Sequence, residues 1–280
     1  MIQYDKLESK GYFFMHGLFG TKHIILLAIS LVLVIGLYLL SRKMKFSTIC
    51  KTLFYTGIVS ELIKVFYYII QNEDTYGGVL PKTDLPFQLC SIQIIFIIVV
   101  TFTKNEKLKR LILSFMLPSC LFGGIAAILI PTQSARNGMW IITAQYFLYH
   151  IALIIFSLHL FTSKELKLTI KDYFNCLKFL VGIMFFAIYI NSMMYDGNPN
   201  INFMYVVSPP QDGLPYLNEN QGWFMYMLKY ASVVILCVSL VYIKPIISCI
   251  KEKFHKKSSD TASIQIADSI EDSTKSDTNE

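Results

Sequence analysis

Paired cysteines are missing from this 280-residue chain: its six cysteines, at 50, 90, 120, 176, 237 and 249, form no C-x-x-C and no Cys/His ligand spacing. Neither a zinc site nor a disulfide framework is therefore indicated, and nothing calls for a metal or another cofactor. Lysine and arginine are missing from alternate loops. The stretch around 72–84 holds Lys82 alone, that around 131–138 holds Arg136 alone, and 192–222 holds none. A small-residue cleavage site is also missing after the first apolar run, which follows 22 mixed residues and ends in a basic stop. That run is expected to be a retained span rather than a cleaved signal. Internal symmetry is absent as well, which counts against the inverted repeats common among transporters.

What the chain has in abundance is apolar sequence, with 54% hydrophobic residues and a mean hydropathy of +0.50. Seven runs approach the ~20 residues needed to cross a bilayer: about 23–41, 52–71, 85–102, 109–130, 139–161, 173–194 and 223–243. The expected fold is all-α, a polytopic bundle of seven transmembrane helices over 23–250. An interfacial segment over 1–22, carrying His16 and His23 as wet interfacial histidines, precedes it. A Ser/Thr/Asp-rich disordered cytoplasmic tail over 251–280 follows. The net charge of +6 is no nucleic-acid signal, because the cations collect in loops. Arg42, Lys43, Lys45 and Lys51 fill one, Lys104, Lys107, Lys109 and Arg110 the next, and Lys164, Lys167 and Lys171 a third. By the positive-inside rule the N-terminus lies outside and the C-terminus in the cytoplasm of a cell membrane, with a bacterial plasma membrane the expected location.

Polar residues inside the runs are few and patterned. In the second run Glu61, Lys64, Tyr68 and Gln71 fall within an arc of about 80°, with Gly57 one turn before them. Charge at that depth either faces a cavity or a ligand, or forms a self-neutralising i, i+3 pair that fixes packing. In the third run, LPFQLCSIQIIF, Asp84 and Pro86 fit the start of a helix whose second turn carries Cys90, with Gln93 on the same face. Gln88 and Ser91 point away from that face. The fourth run holds Pro118, Gly123 and Gly124, a kink with room for a close neighbour. In the fifth, Thr143, Tyr146, His150 and Ser157 share about 60° of arc, and His159 sits nearer the cytoplasmic end at the interface. The sixth ends in Asn191. The loop after it, rich in Asn, Pro and Tyr, could fold back over the bundle, with Asn202, Tyr205 and Pro209 its residues of interest. A thiol can act as a packing residue or, as thiolate, as a nucleophile, and a neutral imidazole is one of few groups able to take its proton. Counting ~1.5 Å per residue puts Cys90 ~8 Å and His150 ~16 Å below the outer edge.

LPFQLC resembles the LP-x-H/Y-LC signature of the YwaF family of bacterial integral membrane proteins. That family is similar to the mammalian transmembrane protein 164 ether-lipid acyltransferases and, remotely, to the androgen-induced type of lipid hydrolases. FLYH in the fifth run, Asn191, NFMYV with Pro209, and WFMY at the start of the seventh extend the resemblance over nearly all of residues 10–245. This chain departs from it with Gln88 where many relatives have His and Phe203 where Tyr is usual. The resemblance implies Cys90 as an acyl-accepting nucleophile and His150 as its base.

Residues and resemblance together lead to an acyltransferase or transacylase that takes an acyl group from phospholipid, independently of acyl-CoA, and passes it to a lysolipid through a thioester. Water as acceptor would make it a hydrolase. Glu61, Lys64, Gln93, Tyr146, Asn191, Asn202 and Tyr205 are the expected substrate-binding residues, with Gln93, Tyr146 or Lys64 stabilising the oxyanion. The rival class is a transporter or binding protein whose Glu61–Gln71 stripe and His150 line a solute path. A scaffold without chemistry is the third.

Overall fold

A computed structural model describes residues 18–71, 80–132, 135–136, 139–163, 165–197, 201–210, 214, 216–217 and 222–254. Most of the expected interfacial segment 1–22 and of the tail 251–280 lies outside the described residues, as does the Gln71 side chain. Among the described residues seven α-helices follow one another: α1 (Thr21–Ser41), α2 (Phe46–Gln71), α3 (Leu89–Phe102), α4 (Glu106–Leu129), α5 (Trp140–Thr162), α6 (Ile170–Met194) and α7 (Gly222–Val241). Short 3-10 turns at Lys82–Asp84 and Phe203–Tyr205 interrupt the connections, and residues 243–254 continue as helix beyond a break at Tyr242. Six of the seven are long and apolar enough to cross a membrane. The exception is α3, which at 14 residues is only ~21 Å long.

Helix ends are set by local chemistry that hydropathy does not report. Asn105 caps α4 by accepting from the amides of Lys107 and Leu108, each at 3.1 Å. Thr169 and Asp172 form a reciprocal capping box at the start of α6. The third helix departs from its expected start, and proline explains part of the shift. Leu85 precedes Pro86 and is held extended (φ −59°, ψ 149°), as the proline ring demands. Gln88 is also extended (φ −71°, ψ 152°) and occupies the N-cap without a side-chain cap bond. Asp84 therefore caps nothing on α3, and Cys90 is the helix's second residue rather than a member of its second turn.

The centre of the bundle is the α4–α5 pair. More than half of each one's apolar window is buried, 56%, against 22% or less for the other candidate spans. On α4, Phe115, Met116, Leu117 and Cys120 are wholly buried and face α3, α5 and α6. Pro118 sits inside α4 and cannot donate to the Ser114 carbonyl one turn back. The Tyr242 hydroxyl donates to that carbonyl at 2.9 Å and restores the missing bond from the end of α7. Gly124 allows α4 and α5 to meet: a Cβ there would lie 3.1 Å from the His150 carbonyl oxygen and 2.7 Å from Ile154 Cγ1. Gly57 does the same for α2, where a Cβ would come within 2.8 Å of Ile94 Cγ1.

Two histidines expected at a wet interface are buried structural pins instead. His23 is 3% exposed, accepts from the Phe19 amide at Nδ1 and donates to the Ile128 carbonyl from Nε2, tying the start of α1 to the end of α4. His159 is 4% exposed and bonds the Met44 carbonyl through Nε2. Both nitrogens of His23 are thereby satisfied and its burial costs little, whereas His159 keeps a buried Nδ1 with no partner among the described residues.

Candidate functional site

The late start of α3 sets the depth of the thiol. Ser91 Oγ donates to Glu61 Oε1 at 2.7 Å, and the Tyr149 hydroxyl donates to the Cys90 carbonyl at 2.7 Å. Glu61 lies ten residues before the end of α2 and Tyr149 nine residues after the start of α5, so both contacts fall ~14–15 Å along those helices. Cys90 is thus deeper than the sequence count placed it. His150, ten residues into α5, is ~15 Å along its helix, in the same layer. The segment 80–88, with one 3-10 turn at Lys82–Asp84 and no α-helix, carries the chain down into the bundle before α3 begins, and that descent closes the gap in depth.

Cys90 is half-buried, whereas Cys50, Cys120 and Cys176 are fully buried. Its electrostatic neighbours are Lys64 and Glu61 on α2 and the phenols of Tyr146, Tyr149 and Tyr205. The first bond within α3 runs from the Ile92 amide to the Gln88 carbonyl at 3.1 Å, so the amides of Leu89, Cys90 and Ser91 precede the helical ladder. Lys64 Nζ bridges the two Glu61 oxygens at 3.0 and 2.8 Å. It has three protons, so the pair leaves donors over.

His150 is 3% exposed and its protonation pattern follows from one contact. Nδ1 lies 2.7 Å from the Tyr146 carbonyl, which can only accept, so Nδ1 carries the proton and Nε2 holds the lone pair. Among the described residues Nε2 has no hydrogen-bond partner. The ring packs on Tyr146 with centroids 4.2 Å apart and stands 5.8 Å from the Tyr149 ring. No hydrogen bond joins Cys90 to His150 among the described residues. The two groups share Tyr146 and Tyr149 as neighbours.

The roof is the segment 201–208, folded back into the bundle with Phe203 fully buried against Leu85, Phe87 and Ile190. Met204 and Tyr205 both adopt left-handed backbone (φ 55° and 54°), a conformation side chains resist and neighbours must hold. Three helices and one asparagine of the segment itself hold it. Gln88 accepts from the Met204 amide at 2.9 Å and donates to the Asn202 carbonyl at 3.3 Å. Asn191 accepts from the Phe203 amide at 2.8 Å and donates to its carbonyl at 3.0 Å. Asn202 closes the turn on Val207 and Ser208. From α7, Trp223 donates to the Val206 carbonyl at 2.8 Å, Tyr226 to that of Tyr205, and Tyr230 to that of Met204 at 3.1 Å. Held this way, the Tyr205 ring comes near Cys90 and Tyr146. Burial, with Cys90 and Tyr230 adding to it, pushes the Tyr205 phenol up to about 12, so it is a proton-bearing donor at neutral pH.

Of the residues singled out from sequence, the fold gathers Cys90, Glu61, Lys64, Tyr146 and Tyr205 in one layer with His150 beside them. Gln93 is buried, with its amide donating to Ser119 at 2.9 Å and its Oε1 without a partner among the described residues. The Tyr146 hydroxyl donates to the Ala127 carbonyl at 3.2 Å. Asn191 and Asn202 hold the roof and face backbone. Thr143 and Ser157 are engaged with the carbonyls of Ala135 and Leu117. Sequence reasoning passed over Ser91, Gln88 and Tyr149, and also the α7 aromatics as anchors of the roof. Gln88 was visible as a polar residue where relatives carry His, and Tyr149 as the third letter of FLYH. Ser91 had no such signal, because its partner lies 30 positions away. Among the described residues no three His, Cys, Asp or Glu side chains cluster so as to hold a metal ion.

Apolar helices around a recessed layer of thiol, imidazole, ion pair and phenols define a multi-pass membrane protein with a polar site inside the bundle. The TMEM164 family model matches residues 18–242, and the chain belongs to that family. No curated protein and no solved structure matches the chain.

Proposed function

We propose that the chain is a membrane lipid acyltransferase or transacylase with Cys90 as nucleophile and His150 as base. The observation that supports it most is the shared depth of a half-buried thiol at the first turn of α3 and an imidazole whose Nε2 lone pair is uncommitted. His150 Nε2 takes the thiol proton, and the sulfur adds to the carbonyl carbon of a phospholipid acyl ester. The oxyanion is met by the leading amides of α3, by Lys64 and by the Tyr205 hydroxyl. Collapse breaks the carbon–oxygen ester bond, and the departing lysolipid oxygen takes the proton back from His150. An acyl thioester on Cys90 remains. A lysolipid hydroxyl, losing its proton to the same nitrogen, then attacks the thioester, and the thiol is restored. Water in that second step gives hydrolysis.

The donor is phospholipid rather than acyl-CoA in this reading, because the roofed end is opposite the lysine-rich loops that mark the cytoplasmic side of the cell membrane. The test is transfer of a labelled acyl chain from phospholipid to lysolipid by the purified protein in liposomes. Cys90→Ala is expected to abolish transfer and the hydroxylamine-labile label, and His150→Gln to slow both by at least two orders of magnitude. An unchanged rate for Cys90→Ala refutes the mechanism. The half-buried Glu61–Lys64 pair supports one rival, a solute path, for which uptake into proteoliposomes would depend on Glu61 and not on Cys90.

A further inference from the structure

At the end of the bundle opposite the roof, a cleft of about 430 Å³ opens between the starts of α2 and α4 and the end of α3. Lys45, Lys51 and Lys109 line it, with Glu165 the one carboxylate among its lining residues. Three ammonium groups against one carboxylate repel one another and leave a net charge of about +2 for an incoming anion to neutralise. Lys109 has a further carboxylate only at the limit of contact, Glu106 at 4.0 Å.

The backbone adds donors to the same place. The Lys45 carbonyl accepts from Thr48 and Ile49, so the amides of Phe46 and Ser47 precede the ladder of α2 where those residues line the cleft. Ser47 brings an exposed hydroxyl. The floor, by contrast, is apolar and buried: Phe46, Cys50 and Val100. One turn further along α2 and one residue further along α3, Phe54 and Phe102 meet edge to face, with Phe102 69% exposed on the outside of the bundle. Cationic donors above an apolar floor that continues into an outward aromatic wall suit an amphiphile, with a phosphate at the lysines and a chain along the phenylalanines.

We propose that this cleft is a binding site for an anionic phospholipid of the leaflet beside it, separate from the site around Cys90 and independent of that site's chemistry. The shared chemistry is a phosphate anion, and lipid is favoured over free phosphate by the Phe54–Phe102 wall. Basic recesses between transmembrane helices on the cytoplasmic side are suited to such headgroups, each lysine near an anionic surface contributing about 1 kcal/mol, roughly fivefold in affinity.

The test uses the full chain in detergent, titrated with phosphatidylglycerol, phosphatidylcholine or inorganic phosphate, with thermal stability and native mass spectrometry as readouts. Phosphatidylglycerol is expected to bind and stabilise, and phosphatidylcholine is not. Lys45→Gln/Lys51→Gln/Lys109→Gln should weaken binding about 100-fold, while Lys43→Gln/Lys104→Gln/Lys107→Gln, which removes equal charge from exposed positions at the same end, should leave it within about threefold. Glu165→Gln should tighten it. If the triple variant fails to fold, Lys45→Gln and Lys51→Gln are each expected to cost about fivefold. Equal loss in the two triples reduces the effect to general surface charge and overturns the site. An equal shift from millimolar inorganic phosphate overturns the lipid as ligand.

Discussion

Gln88→Ala should loosen the roof over Cys90 without unfolding the bundle. Gln88 makes two bonds to the roof, and they differ in value. The bond from the Met204 amide is 2.9 Å long and Met204 is 6% exposed, so truncation leaves a buried amide unpaired. That costs about 1–3 kcal/mol. The bond to the Asn202 carbonyl, at 3.3 Å, is long and adds little. The roof also carries two consecutive left-handed residues, each a strain of about 1–3 kcal/mol that the surrounding bonds must offset. Local opening should therefore become easier by the full 1–3 kcal/mol, which is about 5–150-fold. Hydrogen–deuterium exchange over 201–208, in nanodiscs, reads that factor directly. Acyl transfer should fall as Tyr205 leaves the neighbourhood of Cys90, while the exchange of α4 and α5 stays as in the wild type. Exchange in 201–208 within twofold of wild type would refute the assignment of Gln88 as a clamp.

The two adjacent glycines of α4 should respond with opposite signs. Gly124→Ala gains about 1 kcal/mol of helix propensity but meets Ile154 and the His150 carbonyl at 2.7 and 3.1 Å, so a net loss of about 1–2 kcal/mol and a lower melting temperature are expected. Gly123→Ala has its nearest contact at 3.8 Å and should be neutral or stabilising by up to about 1 kcal/mol. Tyr242→Phe strands the Ser114 carbonyl that Pro118 has freed, and should cost about 1–3 kcal/mol in denaturant or thermal unfolding. Asp84 supplies the pH dependence. Burial raises its carboxyl above the ordinary 3.8, with Thr83, Lys64 and Tyr68 offsetting part of the rise. A raised carboxyl contributes stability that is fully present below the unfolded value and is lost as pH rises through the folded one. Asp84→Asn should therefore melt higher than wild type at pH 7.5, and the difference should vanish near pH 4.

The spans were legible because desolvation acts on every residue of a run: each of the seven expected runs overlaps a helix, with ends within four residues except at the second, which begins at Phe46 rather than 52. Their ends were less so, since they depend on single side chains such as Asn105 and Thr169. The polar stripe Glu61, Lys64, Tyr68 was legible in the same way as the spans, by periodicity. The roof was visible only as a loop able to fold back. Its anchors come from α3, α6 and α7, and no periodicity links Gln88 to Met204 or Tyr226 to Tyr205.

The third helix is where local preference and tertiary demand part. Pro86 favours a helix starting there, and sequence reasoning followed that preference. The structure forgoes those turns because Gln88, kept extended, can reach the roof, and because a start at Leu89 sets Ser91 against Glu61. A full-length α3 would commit the Cys90 and Ser91 amides to helical bonds and place the thiol inside a closed ladder. Starting late leaves those amides at the head of the helix, in the layer of His150. Inserting one alanine after Ser91 should then rotate Cys90 and Ser91 by about 100° relative to the rest of α3 and separate Ser91 from Glu61. Transfer should be lost while helix content by circular dichroism stays unchanged. Retained transfer in that variant would mean that the register of the first turn does not govern the site.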